Sequence, residues 1–165
     1  MKKNKGFSLV ELIIVIAIMA ILVGVMAPQL IKYIEKTNIS SDIQLCDTVA
    51  TAITTAMSDP AVITDPTASL QISGLADVGA DHRLDGFADT AFTDAVNDIV
   101  GVDIFDLNEQ HKLMRSKPAK SSGILVVYGV GNGVIVYISH SDATGAGRDI
   151  NPYGTDPRTS DAIHN

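Results

Sequence analysis

Residues 7–31, FSLVELIIVIAIMAILVGVMAPQLI, are too apolar to remain in water, and the organisation of the rest of the chain follows from this segment. Between Leu12 and Ile31 no side chain is ionisable, over twenty consecutive residues. A helix of that length is about 30 Å long, which is roughly the hydrocarbon thickness of a bilayer. The stretch therefore predicts a transmembrane helix, or a helix held in an equally apolar environment.

The charges before this stretch predict its orientation. Lys2, Lys3 and Lys5 precede the apolar residues, and positive charge beside a membrane segment tends to stay in the cytoplasm. An ordinary secretory signal has a shorter apolar core and a small-x-small cleavage site, whereas the only candidate site here is followed by Pro28. We therefore expect a single-pass precursor in the cytoplasmic membrane, with the following residues outside the cytoplasm.

Glu11 is the one acid in the apolar stretch, and it needs a partner. A carboxylate inside a membrane helix costs about 2.5–3.5 kcal/mol, less near the interface, and such a residue usually marks a function. No basic side chain lies between Lys5 and Lys32. Cleavage between Gly6 and Phe7 would create a free amine four residues before Glu11, and this amine is the expected partner, in the same chain or in a neighbouring one.

The segment Gly6-Phe7-Ser8-Leu9-Val10-Glu11 resembles the processing motif of type IV pilins and the related pseudopilins. A short lysine-rich leader precedes it and an apolar run follows it, as in that family. The resemblance implies that a membrane-embedded prepilin peptidase cuts after Gly6 and N-methylates Phe7. It also implies that Glu11 is required for assembly. The likeness covers roughly residues 1–57.

Beyond the membrane segment (7–31), the helix is expected to continue as an amphipathic half over residues 32–57. Its apolar positions recur at steps of three and four residues, which is typical of one helix face. These positions are Ile39, Ile43, Cys46, Ala50, Ile53 and Met57. Asp42, Gln44 and Asp47 lie off this stripe, and the helix is expected to end near Pro60. Gly24 and Pro28 predict a kink or local melting, because proline removes a backbone hydrogen bond.

The remaining residues, 58–165, are expected to form a globular head that covers the amphipathic half. Residues 123–140 contain two β-branched runs around Gly131-Asn132-Gly133, which predicts a β-hairpin. An isolated hairpin is only marginally stable in water, so we expect a further strand, with residues 70–72 as a candidate. Residues 87–100 have the spacing of a short helix, residues 103–116 are ambiguous, and residues 141–165 are expected to be loop. The predicted class is α+β, a long N-terminal helix packed on a small antiparallel sheet.

The composition argues against several other functions. After the leader (residues 1–6) the net charge is −10, because three of the 12 Lys and Arg residues lie in the leader and all 19 acids follow it. No nucleic-acid site is expected, since binding to phosphates requires basic residues. The single cysteine, Cys46, excludes an intramolecular disulfide and is predicted to be buried. The histidines form no ligand pair, and we expect neither a metal, a cofactor nor enzymatic activity. The four-residue spacing of acids matches no standard calcium loop; these acids are Asp77, Asp81, Asp85 and Asp89.

These observations predict a structural subunit that polymerises through its N-terminal helix into a type IV pilus on the cell surface. Membrane lipid surrounds the helix before assembly, and other copies of the chain surround it afterwards. The resemblance implies a prepilin peptidase, an assembly ATPase and a platform protein as partners. Two alternatives stay open, a pseudopilin of a type II secretion or competence system, and a membrane-anchored surface binding protein.

Overall fold

The computed structural model describes residues 8–75, 81–130 and 133–140. The chain divides into two compact units, Met1–Thr37 and Asn38–Asn165. Within the described residues the elements follow in this order: α1 (Leu9–Ala56), α2 (Pro60–Thr64), α3 (Pro66–Leu75), β1 (Asp81–Arg83), a 3₁₀ turn (Leu84–Gly86), α4 (Ala91–Val100), α5 (Leu107–Leu113), α6 (Lys117–Ser122), β2 (Gly123–Val130) and β3 (Gly133–His140). This mixture confirms the predicted α+β class with a long N-terminal helix.

Helix α1 runs without interruption from Leu9 to Ala56 and includes Pro28. The local melting expected around residues 24–28 is absent from this structure, and the kink remains a prediction. The C-terminal end is one residue earlier than predicted. Pro60 does more than stop the helix, since it is the first residue of α2, where a missing N–H does no harm. Asp59 caps α2 by accepting the Ala61 amide at 2.8 Å.

The buried face of α1 differs from the predicted stripe. The fully buried residues are Asp42, Cys46, Val49, Ala52, Ile53 and Ala56. Of the predicted positions, Cys46 and Ile53 are in the core, whereas the other four are only partly buried against it. The prediction for Asp42 was therefore wrong. It placed Asp42 off the apolar stripe, but a carboxylate can be buried when it accepts hydrogen bonds from the fold.

The chain between α1 and the hairpin is helical where a strand was predicted. Residues 70–72 belong to α3, not to a strand. Helix formation there follows from Asp65 and Pro66, because Asp65 accepts the Thr67 amide at 2.8 Å in the first turn. This hydrogen bond also lowers the pKa of Asp65. Helix α4 confirms the prediction for residues 87–100, and the ambiguous residues 103–116 contain α5.

The predicted hairpin is present as β2 and β3, which pair antiparallel with Val126 opposite Tyr137. The additional strand is β1, which pairs antiparallel with β2. Among the described residues, the sheet order is β1-β2-β3. Alternate residues of β2 and β3, such as Leu125 and Ile138, join the buried residues of α1 in one core. Gly131, Asn132 and the predicted loop 141–165 lie outside the described residues.

Candidate assembly site

Glu11 lies in the first turn of α1, where its carboxylate binds the helix end. The backbone N–H of Ser8 donates to Oε2 of Glu11 at 2.8 Å, and the Leu12 amide donates to the Ser8 carbonyl at 3.2 Å. Ser8 and Glu11 thus form one half of an S-x-x-E capping box. Glu11 was expected to lack a cationic partner until the chain is cut, and this stays a prediction. The hydrogen bond from the Ser8 amide was not predicted.

The described surface of α1 beyond Glu11 is almost entirely apolar as far as Ile34. In the part of the chain that the structure describes, α1 is the one helix long and apolar enough to cross a membrane. No residue in the most apolar part of this helix is buried in the protein. The large apolar side chains from Leu9 to Ile34 are all exposed. Exposed apolar surface of this extent marks a membrane or protein interface. Glu11 is therefore a charged residue at the start of a helix surface that suits lipid or another apolar helix.

Gly24 and Pro28 are linked by one absent hydrogen bond. Proline has no N–H, so the carbonyl of Gly24, four residues earlier, receives no backbone donor from Pro28. A methyl group on Gly24 would meet no atom within 4 Å. This part of the helix therefore lacks one backbone hydrogen bond. The surface of the helix at Gly24 is open to a neighbouring chain or to lipid.

Polar residues mark the far end of the apolar segment. Gln29, Lys32, Tyr33 and Lys36 line a surface cavity of about 380 Å³. Lysine and tyrosine are typical of the membrane–water interface, because their stems are apolar and their tips are polar. This group suits the boundary between a membrane segment ending near Ile31 and the residues that follow in water. The cleavage residues predicted from the sequence, Gly6 and Phe7, lie outside the described residues.

Asp42 is the functional group that the sequence reasoning missed on the second half of α1. Its Oδ1 accepts the Arg115 amide at 2.7 Å, and its Oδ2 accepts the Ser116 amide at 2.9 Å. Ser116 is the N-cap residue of α6, so the carboxylate of one helix satisfies amides at the start of another. A signal was available, because residues 42, 46, 49, 53 and 56 also have helical spacing.

Cys46 lies one turn after Asp42 and is fully buried, as predicted. Burial raises the pKa of its thiol, and the charges of Asp42 and Asp47 raise this pKa further. A thiol is nucleophilic as a thiolate, so Cys46 is not a reactive group at neutral pH. It acts as a small apolar residue of the core.

Gln110 links two parts of the head from a buried position. Its Nε2 donates to the Ile104 carbonyl at 2.6 Å, and its Oε1 accepts the Leu125 amide at 3.1 Å. The short β1 strand pairs with residues 126–128 of β2, so Gln110 supplies an acceptor for β2 one residue before that pairing begins. Both polar ends of the side chain are satisfied, as burial requires.

Several acidic residues of the head are bonded within the fold. Asp89, Asp103 and Asp106 lie in one cleft of about 280 Å³, but Asp103 accepts the Phe105 amide and Asp106 accepts the Asn108 amide. Asp85 is bound by Arg83 at 2.7 Å, which lowers the pKa of this carboxyl. Within residues 8–75, 81–130 and 133–140, no cluster of three or more His, Cys, Asp or Glu residues is placed to hold a metal ion. Asp77 lies outside these ranges.

Comparison with known proteins identifies the N-terminal segment. Residues 1–27 match the family model of the prokaryotic N-terminal methylation motif. This motif is the signature of type IV prepilins and pseudopilins, and it implies processing by a prepilin peptidase and a role as a pilin-like subunit. No curated protein and no solved structure matches the chain. The motif therefore extends over the leader and the apolar part of α1.

Proposed function

We propose that this chain is the structural subunit of a type IV pilus on the cell surface. In this proposal residues 1–6 are a cleaved leader, 7–31 and 32–57 are the membrane and amphipathic parts of the helix, and 58–165 are the head. The observation that supports it best is the N-terminal methylation motif at the start of an apolar helix whose surface is exposed all round. Such a helix keeps an apolar environment both in lipid and among the apolar helices of other copies.

The leader lysines explain why processing would precede assembly. A helix that leaves the membrane outward draws its N-terminus through the hydrocarbon, and each lysine there costs about 2.5–3.5 kcal/mol. Lys2, Lys3 and Lys5 therefore hold the precursor in the membrane. Cleavage after Gly6 removes all three and leaves a single amine on Phe7.

Glu11 is suited to receive that amine. Its Oε2 already accepts the Ser8 amide, so the carboxylate is folded back toward the N-terminal end of α1, and Phe7 is the next residue. The ion pair can form in one chain or between neighbouring chains. A buried charge without a partner is strongly destabilising, so a pair between chains would select the axial register in which both charges are satisfied.

The N-terminus of the chain in its final location tests this function. Filaments sheared from cells are analysed by mass spectrometry, and the expected N-terminus is N-methylated Phe7. An intact N-terminus at Met1 or Lys2 would contradict the proposal and support a membrane-anchored binding protein. A processed chain that is absent from sheared filaments would support a pseudopilin of a secretion or DNA-uptake system.

A further inference from the structure

Two cavities adjoin on the surface of α1 where its apolar part ends. The first, of about 380 Å³, is lined by Gln29, Lys32, Tyr33 and Lys36. The second, of about 390 Å³, is mainly apolar, and its lining residues are Val23, Met26, Ala27, Gln29, Leu30 and Tyr33. Gln29 and Tyr33 line both cavities, so the two form one groove along the helix, apolar toward the N-terminus and polar toward the C-terminus. We call it the boundary groove.

The polar end of the boundary groove is positively charged. Lys32 and Lys36 are four positions apart, which makes them neighbours on one face of the helix, and both are exposed. Glu35 is the nearest acid in the sequence, but it is not among the residues that line the cavity. The groove therefore offers two ammonium groups at the end of an apolar channel.

These two lysines lie on the side of the membrane segment where basic residues are uncommon. In the proposed function the leader lysines are cytoplasmic, so residue 32 and those after it lie on the outer side, and the translocated side of a membrane segment usually carries few Lys and Arg residues. After Lys36 no Lys or Arg occurs before Arg83. Lys32 and Lys36 are thus an isolated pair of charges at the level of the outer headgroups, where the abundant anion is lipid phosphate.

We propose that the boundary groove binds one anionic phospholipid of the outer leaflet, an inference that rests on the membrane location in the proposed function. Lys32 and Lys36 bind the headgroup phosphate, and the apolar end of the groove holds an acyl chain. Lysine suits this position, because its apolar stem lies along the hydrocarbon while its charge reaches the headgroups. A concave site with apolar walls and a few polar groups at one end matches the two-part chemistry of a phospholipid. The bound lipid fixes the depth of α1 in the bilayer.

Lipid binding to the purified full-length chain in detergent tests the proposal. Native mass spectrometry counts the molecules retained when the chain is titrated with phosphatidylglycerol, with phosphatidylcholine of the same acyl chains, or with glycerol phosphate. We expect one phosphatidylglycerol per chain, at least tenfold weaker binding of phosphatidylcholine, and no retained glycerol phosphate. Each lysine near an anionic headgroup contributes roughly fivefold to affinity, so Lys32→Gln combined with Lys36→Gln should weaken phosphatidylglycerol binding at least tenfold.

Matched variants separate the site from general effects of charge and size. Lys117→Gln combined with Lys120→Gln removes the same two charges from exposed positions of α6, and it should bind phosphatidylglycerol within twofold of the wild type. Ala27→Leu fills the apolar end of the groove and should weaken binding at least fivefold. Its control is Ala17→Leu, because Ala17 lines neither cavity, and this variant should bind like the wild type.

Far-UV circular dichroism verifies that each variant keeps the helix content of the wild type. The proposal is overturned if phosphatidylcholine binds as tightly as phosphatidylglycerol, if glycerol phosphate alone is retained, or if the two double-lysine variants bind phosphatidylglycerol equally well. Loss confined to the variant at positions 32 and 36 supports it. These outcomes are separate from those for the proposed function, which fails if the wild-type chain keeps its leader or is absent from surface filaments.

Discussion

Oδ2 of Asp42 accepts the backbone amide of Ser116 at 2.9 Å, joining residues 74 positions apart in the chain. The second oxygen of the carboxylate accepts the neighbouring Arg115 amide. The contact connects α1 to the segment that starts α6, immediately before the hairpin. A single buried acid thereby connects the head to α1, the helix through which the proposed pilus would assemble.

Asp42→Ala should destabilise the head by about 3 kcal/mol, because it leaves two backbone amides without their acceptor in a buried site. Thermal unfolding of the detergent-solubilised chain, followed by circular dichroism, measures this. Asp47→Ala is the matched control, since Asp47 lies on the same helix and is exposed. The control should change stability by less than about 0.5 kcal/mol. Equal effects of the two substitutions would contradict the role given to Asp42.

Glu11→Gln separates helix capping from ion pairing. Glutamine also accepts a hydrogen bond at this position of a capping box, so the bond to Ser8 can persist while the charge is lost. We expect Glu11→Gln and Glu11→Leu to insert into the membrane normally but to lower surface filaments at least tenfold. Immunoblots of membrane and sheared fractions measure both quantities. Normal filaments from Glu11→Gln would show that capping suffices and that no ion pair is required.

Gly6→Val should block processing, because the Gly6–Phe7 bond is the proposed cleavage site of the prepilin peptidase that the motif at residues 1–27 implies. The expected result is membrane-bound precursor with the leader attached, detected by intact mass. Gly24→Ala is a suitable control, since an added methyl group there meets no atom within 4 Å. The control should be cut normally. Complete cleavage of Gly6→Val would place the processing site elsewhere.

Gly123→Ala should destabilise the head by about 1–3 kcal/mol through overpacking. A methyl group at this position would lie 2.6 Å from the Ala119 carbonyl oxygen and 2.7 Å from Cγ2 of Ile138. Gly86→Ala meets no atom within 4 Å and serves as the control, with little expected change. Circular-dichroism melting of both variants checks the difference, and equal stability would refute the predicted clash.

The Cys46 thiol should make the head less stable in alkali. Its pKa is raised in the folded chain, so above its ordinary pKa, near 9, the unfolded chain loses a proton that the folded chain keeps. Stability then falls with pH by up to about 1.4 kcal/mol per unit for this group. Unfolding curves of the wild type and Cys46→Ala, measured from pH 8 to 10.5, isolate the effect. Parallel pH profiles for the two chains would contradict it.

Local patterns were sufficient for part of the fold. The apolar run specified α1, and two β-branched runs specified the hairpin, because each depends on residues close in sequence. Residues 70–72 were predicted as a candidate strand, and this failed because three residues are too few to distinguish strand from helix periodicity. The helix start is specified instead by Asp65 and Pro66, which lie before these residues. The Ser8–Glu11 bond was predictable from the S-x-x-E spacing.

Hydrophobicity and short motifs act locally, so the sequence was sufficient for a helix long and apolar enough to span a membrane, for the N-terminal methylation motif and for the α+β class. The buried face of α1, in contrast, follows from contacts with distant parts of the chain. Asp42 could enter the core because two amides, 73 and 74 residues away, supply its hydrogen bonds. The same orientation of the helix leaves Thr48, Thr51 and Thr55 exposed on its other side. Which side of a helix is buried depends on such distant partners, and periodicity alone does not encode them.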